Sequence, residues 1–443
     1  MIKVKNFIRS DKRDRLSGSL MHTYQHISGL SVTVIPKPRF SRKFAGVVVP
    51  YGSVHTQFRD VKHPHEIIEV PPGTAHFLEH CLFSGKTTQS GELIRRFAAL
   101  GVEADAYTDY GHTMFYVLGT DHFGEACKLL LSTLIEPTIG DCDLDLQREV
   151  VQSELNYLQS DSQYLGYERL MKNMFKNHSC RYNVNGTLDS IGLITKDHLA
   201  AVHRNFYTPR GFSIVLAGGF DEPFVESFLE LINDFVPNNN REPLGEYISP
   251  VEPRGTSRFT DSIVAPHLQD SYILGFKDPK VNGSSHISGA NLMIRRIAGQ
   301  LLLDVIVGKT TFLYEELYNL GAVNERFHYS YHLENDCSYV LVGGVCQEPD
   351  RAAEVVYNRI IDTLRGGKLD EDQFQMKKRV AMGSFIRSMD NIMTVGMNAA
   401  ICRLNNIDLF DYSSAFTRID LSDTIEHMNF MLDSEAATRV IVN

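Results

Sequence analysis

The chain has 443 residues, 43% of them hydrophobic and 22% charged, with a net charge of −10 at pH 7. That length and apolar content can fill more than one core, so two or more domains are expected. No apolar run approaches the roughly 18 residues that cross a bilayer, and the acidic balance argues against nucleic acid, so neither a membrane nor a nucleic-acid partner is expected.

The first sixteen residues, MIKVKNFIRSDKRDRL, are basic but lack the apolar core of a signal peptide. Asp11 and Asp14 also argue against a transit peptide, and a solvated N-terminal arm is expected. Seven cysteines, odd in number and without a C-x-x-C pair, read as reduced thiols in a cytoplasmic protein. Pro71-Pro72-Gly73-Thr74 reads as a loop ending in a helix N-cap, followed by an apolar face of Phe77, Leu78, Cys81, Leu82 and Phe83.

His76, Glu79 and His80 stand on that helix. Residues four apart lie one above the other, so His76 and His80 can grip a single ion while Glu79 lies beside them. The pattern is H-x-x-E-H, the zincin motif reversed. Among 17 histidines a chance match is the bland reading. The apolar setting speaks against it, because two imidazoles and a carboxylate there need partners and a metal satisfies all three. Two neutral histidines plus one further ligand make an open catalytic zinc site, with Glu79 as base and not ligand. Cys81 points elsewhere on the helix and reads as packing.

Downstream, residues from about Asp143 to Gln159 form a helix whose apolar stripe is Val150, Val151, Leu155 and Leu158. Glu154 falls among them, where a carboxylate is costly unless paired or coordinated, so Glu154 is the expected third ligand. Glu149 sits off the stripe and reads as solvated.

With Glu154 in the segment Arg148-Glu149-Val150-Val151-Gln152-Ser153-Glu154, the chain resembles the pitrilysin family of zinc metallopeptidases, which includes insulin-degrading enzyme and the mitochondrial processing peptidase. The family places its third-ligand glutamate at a similar interval and in a similar V-x-x-E setting. Tyr51-Gly52-Ser53, Asp105-Ala106-Tyr107-Thr108 and Asn185-Gly186-Thr187 are further landmarks, and the likeness runs through essentially the whole chain. Two positions depart from the pattern: Gln147 stands where a second glutamate is usual, beside the site, and Asp105 replaces the usual asparagine. The resemblance implies that a peptide substrate adds a strand along Asp105, Ala106 and Tyr107. Tyr107 and Tyr110 read equally well as ordinary strand residues.

An internal repeat organises the chain. Phe97 to Val102, Tyr107 to Tyr110 and Thr113 to Gly119, then a helix near Phe123, are echoed by Leu317 to Val323, Cys337 to Gly343 and a helix near Arg351. The fold class expected is α+β, two homologous domains, each a mainly antiparallel sheet backed by helices. Their expected limits are 1–235 and 263–443, with a polar, proline-bearing linker at 236–262. Aligning Gly85 with Gly308 places Gly299, Leu302 and Leu303 where His76, Glu79 and His80 stand, so the second copy cannot hold the metal.

The resemblance also implies an Arg and a Tyr in the second half that reach the scissile carbonyl. The matching stretch, Leu313 to Asn324, offers Tyr318 and Asn324 and no arginine. An oxyanion donor is worth two to three orders of magnitude in rate. The expected remedy is a half-size paralogous partner supplying the pair, a homodimer being the lesser alternative. The expected activity is zinc-dependent hydrolysis of unstructured peptides or leader segments within a closed chamber. A non-catalytic assembly subunit of the same family is the rival reading, and complete ligands with Glu79 argue against it.

Overall fold

The computed structural model describes residues 4–84, 92–136, 139, 143–236, 243–279, 281, 287–334, 336–367 and 369–443. It divides into two compact units, the first formed by Met1–Val151, Val184–Ile248 and Phe385–Ser413, the second by Gln152–Asn183, Ser249–Ser384 and Ser414–Asn443.

The first unit holds strands β1 (Phe7–Arg13), β2 (Leu20–His26), β3 (Ser31–Pro36), β4 (Lys43–Val49), β5 (Gln57–Arg59), β6 (Ile67–Glu69), β7 (Glu103–Thr108), β8 (Thr113–Gly119), β9 (Ser213–Gly218) and β10 (Glu246–Tyr247). Seven of them form one sheet in the order β1-β2-β3-β9-β4-β8-β7, and β10-β5-β6 form a small one. Every pairing is antiparallel except β3 with β9. Strands β8 and β9 are buried along their whole length, as apolar runs covered on both faces must be. At one edge every residue of β1 is half-buried or exposed. The basic N-terminus is therefore not a free arm: Phe7 to Arg13 pair in register with His26 to Leu20.

The second unit holds β11 (Thr260–Ile263), β12 (Ser271–Lys277), β13 (His328–Leu333), β14 (Ser338–Val345) and β15 (Ala437–Val442), ordered β11-β15-β12-β14-β13. Only β11 and β15 run parallel. The repeat is visible in both units. Helices α1 (Thr74–Ser84) and α2 (Glu92–Ala99) lead to edge strand β7, then β8 and α3 (Phe123–Ile135). The helix Phe312–Asn319 likewise leads to edge strand β13, then β14 and the helix Pro349–Gly366.

Neither unit is continuous in sequence, unlike the 1–235 and 263–443 blocks that the repeat suggests. The reason is an exchange of helices. After α4 (Leu144–Leu158), α5 (Ser162–Met174) covers β12 and β15 of the second sheet, where a Cβ at Gly166 would lie 3.3 Å from Ile273 and 3.4 Å from Val442. The helix Ile392–Leu404 covers β9 and β4 of the first sheet, with Gly396 against the Phe44 ring and Ser213 Oγ donating to Ala400 O at 3.2 Å.

The expected linker is only partly a solvated spacer. Residues 237–242 lie outside the described ones, but Tyr247 is in β10, and Glu252 is buried. Its carboxylate accepts the N–H groups of Lys176, Asn177 and His178 and pairs with Lys277 Nζ at 3.0 Å. These hydrogen bonds hold Glu252 ionised against the cost of burial.

Candidate active site

Two glycines set the start of α1. Gly73 has φ +91° and Gly186 φ +79°; a Cβ at Gly73 would lie 2.7 Å from Asn185 O, and one at Gly186 2.6 Å from Pro72 O. Positive φ and backbone-to-backbone approach both call for glycine. Ser190 Oγ, part of a capping box with Thr187, adds a 2.8 Å hydrogen bond to Pro72 O. The Asn185-Gly186-Thr187 landmark thus buttresses the metal-motif helix. Thr74 is already helical, and its hydroxyl donates to Pro71 O at 2.6 Å.

On α1 the Nε2 atoms of His76 and His80 lie 3.2 Å apart, their rings inclined at 71°. Zinc–nitrogen bonds of about 2.0–2.1 Å at tetrahedral angles put two nitrogens roughly 3.4 Å apart, so this pair fits one ion. Burial, with His80 adding to it, lowers the His76 pKa to about 3, which keeps the ring neutral and its lone pair available. Helix α4 carries Glu154. The ligand atoms of His76, His80 and Glu154 all lie within 4.8 Å of one another. Two imidazoles and a carboxylate are the donor set of an open catalytic zinc site.

The phase of α4 differs in one detail from the expected stripe. Val151 (0% exposed) and Leu155 (4%) are buried, while Val150 is 37% exposed. Adjacent helical residues point about 100° apart, so both valines cannot face one core. Gln147, buried at 4%, shares the Val151–Glu154 face, and Glu149 is exposed.

Glu79 is buried, and its Oε2 accepts a 2.6 Å hydrogen bond from Thr108 Oγ1 at the end of β7. Thr113 Oγ1 lies 3.4 Å from that hydroxyl and donates to Tyr51 O at 2.8 Å. The Tyr51 and Thr108 landmarks are therefore joined to the motif by a chain of hydroxyls. The landmark Asp105-Ala106-Tyr107-Thr108 is the sequence signal for Thr108, and its bond to Glu79 cannot be read from it.

Asp105, Ala106 and Tyr107 lie on β7, the last strand of the sheet. Asp105 accepts from Tyr116 Oη at 3.1 Å and from the Ala106 N–H at 2.9 Å. Burial, and then the Asp105 charge, push Tyr116 up to about 12. Tyr107 Oη sits 3.5 Å from His112 Nε2. The expectation of reduced thiols fails at Cys81, which is disulfide-bonded, while Cys127, Cys180, Cys337, Cys346 and Cys402 are free.

In the second unit the equivalent of α1 is the helix Gly289–Ile306. Leu302 and Leu303 are buried in that unit's core, and the Tyr331 ring of β13 lies where a side chain at 299 would stand. Gly85, the other anchor of the alignment, lies outside the described residues. Tyr318 is 58% exposed and stacked on Tyr314, whereas Asn324 Nδ2 donates to Val345 O at 2.6 Å and is a structural tie.

Residues 69–188 match the insulinase (peptidase family M16) model, and residues 193–380 match the peptidase M16 inactive-domain model. The chain belongs to peptidase family M16. An uncharacterized zinc protease of Bacillus subtilis, YmfH, is 24% identical over 441 residues, covering 98% of each chain. A second zinc protease of that organism, YmxG, is 22% identical over 332 residues, covering 74% of this chain and 76% of its own. The crystal structure of an M16-like peptidase from Alicyclobacillus acidocaldarius superposes with a TM-score of 0.84 at 25% identity, covering 100% of this chain and 99% of that one. Pitrilysin shares the fold at a TM-score of 0.74 and 16% identity, with 99% of this chain matching 47% of it. Among the described residues no helix is long and apolar enough to cross a membrane. The second M16 copy, with Gly299, Leu302 and Leu303 at the equivalent positions, agrees with the inactive-domain description.

Proposed function

We propose that this M16 protein is a zinc-dependent endopeptidase acting on unstructured peptides or leader segments. The observation that carries the reading is the convergence of His76, His80 and Glu154 within 4.8 Å, beside a glutamate held by its own hydrogen bond. His76, His80 and Glu154 hold the ion. When bound, zinc supplies Lewis-acid polarisation of water and of the peptide carbonyl. Glu79 takes the water's proton and hands it to the leaving amine. Thr108 fixes Glu79 by occupying Oε2, which assigns the proton to Oε1. Gln147, on the Glu154 face of α4, keeps that helix face polar next to the ligand.

The peptide lies extended along β7, its main chain pairing with Asp105, Ala106 and Tyr107 at the sheet edge. The first homologous half, 1–235, carries the metal ligands; the second, 263–443, follows the linker 236–262 and carries none. A half-size paralogous subunit supplies the Arg/Tyr pair that Leu313 to Asn324 does not contain, and the pair works in the cytoplasm. The Bacillus subtilis relatives described as zinc proteases support the metal and the reaction class.

The test is metal content together with cleavage of a quenched peptide, with and without 1,10-phenanthroline. One zinc per chain and chelator-sensitive cleavage are expected. A chain that binds no zinc and cleaves nothing favours an assembly subunit, and cleavage that ignores the chelator defeats the zinc-dependent reading.

A further inference from the structure

The second unit holds another cluster of reactive side chains that the peptidase reading does not use. Cys180 lies in the Ser179–Arg181 turn that follows α5, and Cys337 stands just before β14. Both thiols are buried and free, and their Sγ atoms are 3.0 Å apart. His178 completes the cluster, with one ring nitrogen within 4.8 Å of both sulfurs.

Three such donors suggest a metal at first sight, but the hydrogen bonds argue otherwise. The Cys180 N–H donates to His178 Nδ1 at 3.2 Å, so Nδ1 accepts and the Nε2 position carries an N–H. That N–H faces Asp336 Oδ2 at 3.2 Å. An ion there would have to displace this proton and break its contact with Asp336. The sulfurs are also closer than one tetrahedral zinc allows, since Zn–S bonds of about 2.3 Å hold two sulfurs roughly 3.7 Å apart.

We propose that Cys180 and Cys337 are a disulfide-forming pair, closed by exchange with a low-molecular-weight disulfide. Burial raises both thiols, but the polar contacts with Cys180 and the His178 ring bring Cys337 below its usual value, while Cys180 stays well above. Cys337 is therefore the first nucleophile. Its thiolate attacks one sulfur of the small disulfide, forming a mixed disulfide and expelling one small thiolate. Cys180 then attacks the Cys337 sulfur, the protein disulfide forms and the second small thiolate leaves. Two protein thiols and one small disulfide give one protein disulfide and two small thiols, which carry off both protons and both electrons. Because the pair is buried, closure occurs as the unit folds or when the turn opens. The bond would join residues 157 positions apart, fastening the turn after α5 to the β13–β14 hairpin of the sheet that α5 covers.

The full chain, reduced and desalted, is incubated with oxidised glutathione both natively and during refolding from denaturant. It is then denatured in N-ethylmaleimide without reductant, digested and analysed by mass spectrometry. The expected result, in the refolded sample at least, is a linked peptide pair containing Cys180 and Cys337 and two fewer alkylated cysteines. The link disappears in Cys180→Ser and in Cys337→Ser. Full alkylation of both residues in both samples overturns the proposal. Preferential linkage of either cysteine to a different one also overturns it. So does protection of both thiols that a zinc chelator abolishes before alkylation, because the site would then be a metal site.

Discussion

Thr108 Oγ1 donates to Glu79 Oε2 at 2.6 Å, tying the end of edge strand β7 to helix α1. The strand proposed to pair with substrate is thus the strand that holds the proposed base. Peptide docking and base alignment share one anchor.

Removing that anchor should separate binding from chemistry. Thr108→Val, which keeps the shape and deletes the donor, is expected to retain zinc and lower kcat about tenfold with a smaller change in KM. Thr108→Ser should restore most of kcat. Glu79→Gln should retain zinc yet lose at least ~10²-fold in turnover, as expected for a lost general base. Metal analysis beside steady-state kinetics checks both, and zinc loss in a folded Glu79→Gln protein would show that Glu79 is a ligand.

Helix phase on α4 gives a second test. Glu154→Gln should weaken zinc binding by an order of magnitude or more, as judged by competition with a chromogenic chelator. Glu149→Gln should leave it nearly unchanged, because Glu149 is exposed. The reverse pattern would mean that the ligand face of the helix has been misassigned.

The pure chain alone should bind zinc and cleave peptides slowly, and a half-size paralogue bearing the Arg/Tyr pair should raise turnover by two orders of magnitude or more. A homodimer repeats the same deficit and cannot repair it. Fast cleavage by this polypeptide on its own would sink the partner requirement and turn attention to exposed Tyr318.

His203 gives a pH prediction away from the metal. Its Nε2 donates to Leu134 O at 2.7 Å, and burial, only partly offset by that bond, lowers its pKa to about 4. The folded state therefore disfavours a proton that the unfolded chain takes up below about 6.5. Stability from the neutral ring is full above that value and is lost as pH falls toward 4. His203→Gln, which keeps an N–H donor, should flatten the dependence of the urea midpoint on pH between 6.5 and 4. An unchanged slope would show that His203 is not the group responsible.

The parts of the candidate site that lie on one helix are legible in the sequence. His76, Glu79 and His80 follow from a spacing, and Glu154 from its place among apolar residues. Gly299, Leu302 and Leu303 could be read as a copy without ligands because the repeat supplies the alignment. What escaped the sequence depends on partners from elsewhere in the chain. The basic residues of β1 look like a solvated arm until β2 is beside them. Glu252 looks like linker until Lys277 and three backbone amides meet it, and nothing near Thr108 announces Glu79. Two adjacent valines cannot tell which of them faces inward, and in the structure it is Val150 that faces out.

The exchanged helices also bear on how the chain can be divided. A fragment ending near 235 would keep β4 and β9 but lose the helix Ile392–Leu404 that lies over them, and would carry α5 without the strands it covers. The complementary fragment would have the mirror-image defect. Each half alone presents a bare apolar sheet face and an orphaned apolar helix, a combination that favours aggregation. Produced together, the two pieces hold each other's missing parts and have a route to reassembly. The two halves are recognisable as copies in sequence, yet neither is expected to fold alone.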